Sequence, residues 1–290
     1  MSCSNPPLAN ATLQGVSLLI PGDDDKPHRA VWYRQPHKDA PLVLHLHAGA
    51  FTSAPSTERP TLVEQLLMQG GASVVSLQYP LAPAHPFPQA LHAAYAALLH
   101  LRKERHRFCG AKAPILVAGA EAGGNIAAGV ARMARDRKDL PLAGQILFSP
   151  MLDPRIATNS QRQAGAGAAS CRYAQGWRQY ASRPSDYCHP YAEPASATRL
   201  EGLAPALLLT AAGDPFHDET HAYAQRLTDH GIDASFVLLP APIRLPGAYM
   251  NEAPHDAPWM DGARDSLRRF LNRAAACKQP ARTPSLSKLK

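Results

Sequence analysis

"ILVAGAEAGGN", residues 115–125, is an apolar run that ends in a cluster of glycine and alanine and then enters a long helical stretch. Five short apolar residues read as a buried strand, and the small residues after them allow a sharp turn packed tightly against its neighbours. Glu121 stands at the apex of that turn. By themselves Gly119, Gly123 and Gly124 mean only that a strand meets a closely packed helix. What surrounds them gives the turn its further meaning.

Working outward, short apolar runs alternate with helical segments along most of the chain. The predicted strands are 16–20, 29–33, 42–47, 73–79, 115–119, 144–149, 206–211 and 234–239. The predicted helices are 61–69, 89–103, 124–136, 220–230 and 263–274. Strands interleaved with helices predict an α/β fold: an eight-stranded, mostly parallel sheet flanked by helices. One domain over residues 10–275 accommodates them all. Residues 154–200 break the rhythm, being long, polar and rich in Ala, Ser, Arg and Tyr, with one helix expected near Tyr173–Tyr180. Insertions of this length inside a domain are commonly lids, so a small cap is expected there. Residues 276–290 read as a disordered basic tail.

Three pieces fall in a telling order. "LVLHLHAGAF" is a strand followed by His47, Ala48, Gly49 and Ala50, and resembles the H-G-G-G loop whose backbone N–H groups form an oxyanion hole. "ILVAGAEAGGN" spaces Gly119 and Gly123 as in G-x-S-x-G, the turn that displays a nucleophile. "ALLLTAAGDPFHDE" is a strand followed by Asp214, the place of a triad acid. With "VVSLQYPLAPAHPFPQALHAAYAAL", "FSPMLD" and "LAPALLLTAAGDPFHDE", the chain resembles the hormone-sensitive-lipase-like carboxylesterases over residues 15–275. That resemblance implies the α/β-hydrolase fold, a cap over the site, and hydrolysis of small acyl esters without a cofactor. It also implies Gly49, Ala50 and Ala122 as an oxyanion hole.

The pattern is broken at the reacting positions. Glu121 stands where the family has its nucleophile, and Arg244, in "PAPIRLP", stands where it has the catalytic histidine. Ala120 replaces a common Asp, and Ala48 and Ala50 replace two glycines of the oxyanion loop. Arginine stays protonated and accepts no hydrogen bond, so Arg244 cannot relay protons. Enzymes of similar fold that use an aspartate nucleophile still need a base, and His255 is a distant substitute. His217, next to Asp214, reads as a surface residue. His45 reads as a satisfied strand residue and His47 as a brace for the oxyanion loop. Tyr173, Trp177 and Tyr180 either line the cap or simply pack.

The site expected from these residues is a charge cluster. The Glu121 carboxylate reaches the N–H groups of Gly49, Ala50 and Ala122, and Arg244 bridges it to Asp214. Positive charge, backbone donors and the helix start would all hold the Glu121 pKa low. This favours a non-hydrolytic pseudo-esterase that binds a small molecule, an acyl-ester-like compound or a protein. The alternative is a repurposed enzyme with Glu121 as general acid or base in a lyase, isomerase or cyclase reaction; residual ester hydrolysis comes last.

Composition narrows the setting. The net charge of +7 owes four charges to Lys278, Arg282, Lys288 and Lys290, and no aromatic RNA motif accompanies it, so nucleic acid is not the expected partner. Five cysteines, none in a C-x-x-C pair, fit scattered thiols in a reducing cytoplasm. The first residues lack a basic segment before their apolar run, and no apolar stretch reaches the roughly 20 residues of a membrane helix. No cluster has metal-ligand spacing, so neither metal nor other cofactor is expected.

Overall fold

The computed structural model describes residues 15–22, 26–165, 171–240, 249–250 and 259–276. Eight strands form one sheet: β1 (Val16–Ile20), β2 (His28–Tyr33), β3 (Leu42–Leu46), β4 (Ser73–Leu77), β5 (Ile115–Ala120), β6 (Gly144–Phe148), β7 (Ala206–Ala211) and β8 (Ala234–Leu239). Their spatial order is β1-β2-β4-β3-β5-β6-β7-β8. The pairs β1–β2 and β2–β4 are antiparallel, and every later pair is parallel. This is the eight-stranded, mostly parallel sheet expected from the alternation of apolar runs.

Helices cover both faces. They are α1 (Leu62–Gln69), α2 (Gln89–Lys103), α3 (Arg105–Phe108), α4 (Ala122–Arg137), α5 (Asn159–Gln163), α6 (Arg172–Tyr180), α7 (His217–Asp229) and α8 (Trp259–Ala276). Side-chain alternation along the strands divides the core in two. Leu42, Leu44 and Leu46 of β3 pack with Leu98 of α2 and Ile126 of α4. Val43 packs on the opposite face with Leu66 of α1 and Leu267 and Phe270 of α8. The central strands are buried on both sides, which is why they read as continuous apolar runs instead of alternating ones.

Three helices begin earlier than expected: α4 at Ala122, not 124, α7 at His217, not 220, and α8 at Trp259, not 263. The first turn of α4 is glycine- and alanine-rich, a poor helix signal, yet it is fixed by packing on the sheet. The short helices α3 and α5 lack an apolar period long enough to be read. The expected tail lies almost wholly outside the described residues, although Ala276 still belongs to α8.

Register aligns the ends that matter. Leu46 pairs with Gly119 and Ala120 with Phe148, so β3, β5 and β6 terminate side by side. Phe148 in turn pairs with Leu209, bringing the segment after β7 to the same edge. The crevice beyond the carboxyl ends of parallel strands is where such sheets place their ligand sites.

Candidate active site

Glu121 is the single residue between β5 and α4, with φ 54° and ψ −114°. A non-glycine residue in this region stores strain of about 1–3 kcal/mol, held here by the surrounding structure. Its N–H donates to the Phe148 carbonyl at 2.9 Å, and its own carbonyl accepts from Met151 N–H at 3.0 Å. Gly123 explains the small residues: a Cβ there would lie 2.0 Å from the Leu46 oxygen and 2.4 Å from that of His47. The start of α4 thus rests directly on the end of β3.

That close approach sets Glu121 beside the loop after β3. Ala50 and Phe51 have φ values of 48° and 65°. Ala50 N–H donates to Glu121 Oε1 at 2.7 Å and Gly49 N–H at 3.3 Å. Ala122 opens α4 and is buried, and no hydrogen bond from it to the carboxylate is seen among the described residues. His47 stacks on Tyr79 with centroids 4.1 Å apart, and the Tyr79 hydroxyl donates to the His47 carbonyl at 2.8 Å. Burial pushes the His47 pKa down to about 4, leaving a neutral ring that donates from Nδ1 to the Ala48 carbonyl. His45, one turn of the pleat earlier, contacts Glu64 Oε1 at 3.2 Å and Ser76 Oγ at 3.1 Å.

The insertion spanning residues 154–200 lies over this loop through α6. A Cβ on Gly176 would fall 2.1 Å from the Ala50 oxygen, so only glycine lets the helix sit so low. Trp177 and Tyr180 pack on Phe51, the latter stacked at 4.0 Å, and Tyr173 meets Phe216 edge-on. The first residue of α6, Arg172, donates from Nη2 to Glu121 Oε2 at 2.8 Å and to the Tyr173 hydroxyl at 3.1 Å.

Glu121 is completely buried, while the Arg172 side chain is 48% exposed. Burial therefore wins. It raises the Glu121 pKa to about 7, against the lowering effects of Arg172 and of the Ala50 and Gly49 amides, with Asp214 adding to the rise. The expected low pKa is thus reversed. Removing a carboxylate from water costs more than a solvent-screened guanidinium and two amides return.

Asp214 follows β7 and is also buried. Phe216 N–H donates to its Oδ1 at 2.8 Å and the Ser149 hydroxyl to its Oδ2 at 2.9 Å. Burial raises its pKa to about 6. Arg244 and His255 lie outside the described residues, and so does the expected bridge from Arg244 to both acids. Among the described residues the cation on Glu121 is Arg172. His217 opens α7, bonds Asp218 Oδ1 at 2.9 Å and is partly exposed. Arg172, Ser149 and Tyr249 were not singled out from sequence. Ser149 carried a usable signal, since "FSPMLD" follows a predicted strand end at the ligand-binding edge of the sheet. Among the described residues no group of three or more His, Cys, Asp or Glu side chains is placed to hold a metal ion.

A family model describing the α/β-hydrolase fold matches residues 43–243. The chain belongs to the α/β-hydrolase family. Within it, the resemblance is to the hormone-sensitive-lipase-like carboxylesterases. The chain is 30% identical to an arylesterase of Saccharolobus solfataricus over 66% of its own length and 63% of that protein's, so it spans a little under two thirds of this relative. It is 30% identical to the carboxylesterase NlhH of Mycobacterium tuberculosis over 73% of its length and 68% of the relative's. A bacterial heroin esterase superposes with a TM-score of 0.78 at 28% identity, covering 92% of this chain and 86% of the other. These relatives are esterases, and their similarity overturns the expectation of a non-hydrolytic pseudo-esterase or of a lyase, isomerase or cyclase. That expectation rested on Glu121 and Arg244 standing where the family has its serine nucleophile and its histidine base.

Proposed function

We propose that the protein hydrolyses small carboxylic esters, with Glu121 activating water in place of a serine nucleophile. The reading rests on one observation: a buried carboxyl group with a pKa near 7 touches the two backbone N–H groups best placed to hold an oxyanion. In this reading the family triad is degenerate, with Glu121 in the nucleophile position, Arg244 in the histidine position and Asp214 retained as the acid. The Gly49 and Ala50 amides form the oxyanion hole, Ala122 extends it, and residues 154–200 are the cap.

The substrate carbonyl oxygen displaces Oε1 from Gly49 and Ala50, while Oε2 stays against Arg172. Water attacks the carbonyl carbon as Glu121 takes its proton, a role suited to a base whose pKa lies near the working pH. The amides stabilise the tetrahedral oxyanion, which then collapses with rupture of the bond to the alkoxide. Scattered thiols support a cytoplasmic setting. No cofactor, nucleic acid or membrane partner enters the reading, and among the described residues no helix is long and apolar enough to cross a membrane.

The test is turnover of p-nitrophenyl acetate by the wild type, Glu121→Gln and Glu121→Ala. General-base catalysis is worth about 10²–10⁴-fold, so both variants should fall by at least the lower figure. A wild type without turnover above background, or a Glu121→Gln protein with full activity, overturns the proposal.

A further inference from the structure

Water activation leaves one need unmet: an alkoxide departing from an alkyl ester requires a proton. Glu121 has just taken one, on the side of the attacking water. A second buried proton-bearing assembly lies at the same sheet edge. Ser149 follows β6 with φ 41°, and its Oγ lies 2.9 Å from Asp214 Oδ2, 2.9 Å from the Tyr249 hydroxyl and 3.1 Å from Thr210 Oγ1. All four residues are buried.

The hydroxyl inventory restricts what this cluster can do. Ser149 has one proton to give and two lone pairs to receive. When Asp214 is ionised, Ser149 donates to it and accepts from Tyr249, so the phenolic proton is committed inward. When Asp214 is protonated, the polarity reverses. The acid donates to Ser149, Ser149 donates to Tyr249, and the phenolic proton is no longer committed to Ser149. The Phe216 amide fixes the far oxygen of Asp214, which holds the near oxygen on Ser149. Burial first, and then the charges of Asp214 and Glu121, disfavour the Tyr249 phenolate. A phenol kept in its protonated form is a donor that does not lose its proton at rest.

We propose that Tyr249 is the general acid for the leaving alkoxide, and that Ser149 positions it and refills it from Asp214. The step rests on the ester-hydrolysis reading above. As the carbon–oxygen bond breaks, the alkoxide takes the Tyr249 proton. The Tyr249 oxygen takes the Ser149 proton, and Ser149 takes that of the Asp214 carboxyl. Asp214 is left as carboxylate and recovers a proton from solvent, to which Glu121 returns the proton drawn from water. One water and one ester give one acid and one alcohol.

The experiment compares p-nitrophenyl acetate, whose leaving group is stable as an anion, with benzyl acetate of similar size, whose leaving group is not. kcat/KM is measured for the wild type, Tyr249→Phe, Ser149→Ala and Glu121→Gln, with melting temperatures to confirm folding. Tyr249→Phe should fall about tenfold on the nitrophenyl ester and on the order of a thousandfold on the benzyl ester, within the range for general acid catalysis. Ser149→Ala should show the same split, smaller in size, while Glu121→Gln falls alike on both. A merely structural hydroxyl cluster would lower both esters equally in the Tyr249 and Ser149 variants, and that result overturns the proposal, as does no loss at all. If Glu121→Gln keeps full activity while the split persists, the water-activation reading alone falls. If the wild type turns over neither ester, both fall.

Discussion

The proposed reaction joins catalysis and stability in one carboxyl group, that of Glu121. Its pKa is about 7 in the fold against an ordinary value of 4.5, so the folded state holds the proton more tightly than the unfolded chain. The stability this contributes is complete below the unfolded value and is lost as pH rises through about 7. A shift of this size corresponds to about 3 kcal/mol. Glu121→Gln keeps the shape and removes the buried charge. The variant should therefore melt higher than the wild type at pH 8 while losing its esterase activity, a comparison made by calorimetry beside a rate assay. Activity on p-nitrophenyl acetate, whose leaving group is stable as an anion, should rise with pH on an acid limb with an apparent pKa near 7, as the base form of Glu121 appears. Because Arg172 pulls that pKa down, Arg172→Gln should move the limb to higher pH in a kcat/KM profile. A limb that does not move separates Arg172 from the titrating group.

At the scale of the element, α6 shows how a helix is tuned to its site. Glycine within a helix usually costs stability relative to alanine, so replacing it ordinarily stabilises. Gly176 should do the opposite. Its missing Cβ is the space occupied by the Ala50 carbonyl, at 2.1 Å, and backbone cannot yield as a flexible side chain can. Gly176→Ala should lower stability by about 1–3 kcal/mol, the usual cost of overpacking, and weaken activity by lifting Arg172 from Glu121. Thermal melts and the nitrophenyl assay read both effects, and an unchanged melting temperature would place α6 farther from the loop. The position of this helix was legible from "RYAQGWRQY", but its contact with the oxyanion loop was not. Nothing local distinguishes a glycine required by a neighbouring carbonyl from one that is merely tolerated.

At the scale of the molecule, buried groups titrate against one another. Burial lowers the His47 pKa from 6.5 to about 4, so the unfolded chain binds its proton more readily between those values. His47 contributes stability that is complete above 6.5 and disappears as pH falls toward 4, worth about 3 kcal/mol. Glu121 and Asp214, both raised, slope the other way in overlapping ranges. Two raised acids outweigh one lowered histidine, so the wild type should lose stability as pH rises from 4.5 to 6 in urea titrations. Glu121→Gln removes one of the two opposing slopes, and its stability should fall less steeply than that of the wild type across the same interval. An equal slope in the variant and the wild type would mean that Glu121 keeps an ordinary pKa in the fold.

The sequence by itself determined the strands, their mostly parallel sheet, the family, and the turn on which Glu121 is displayed. Buried parallel strands must be apolar on both faces, and a strand that turns into a tightly packed helix must be small at the turn. These are local requirements, legible in short windows. The identity of the residue at the turn was legible too, but its chemistry was misjudged. The partner of Glu121 is Arg172, 51 residues away, and the Ser149 hydroxyl meets Asp214 and Tyr249 across separations of 65 and 100 residues. Such contacts leave no pattern in any window. The proton affinity of Glu121 was decided by tertiary structure alone, because the dominant cause is loss of water, and water is excluded by β3, α4 and α6 closing together around one carboxyl group.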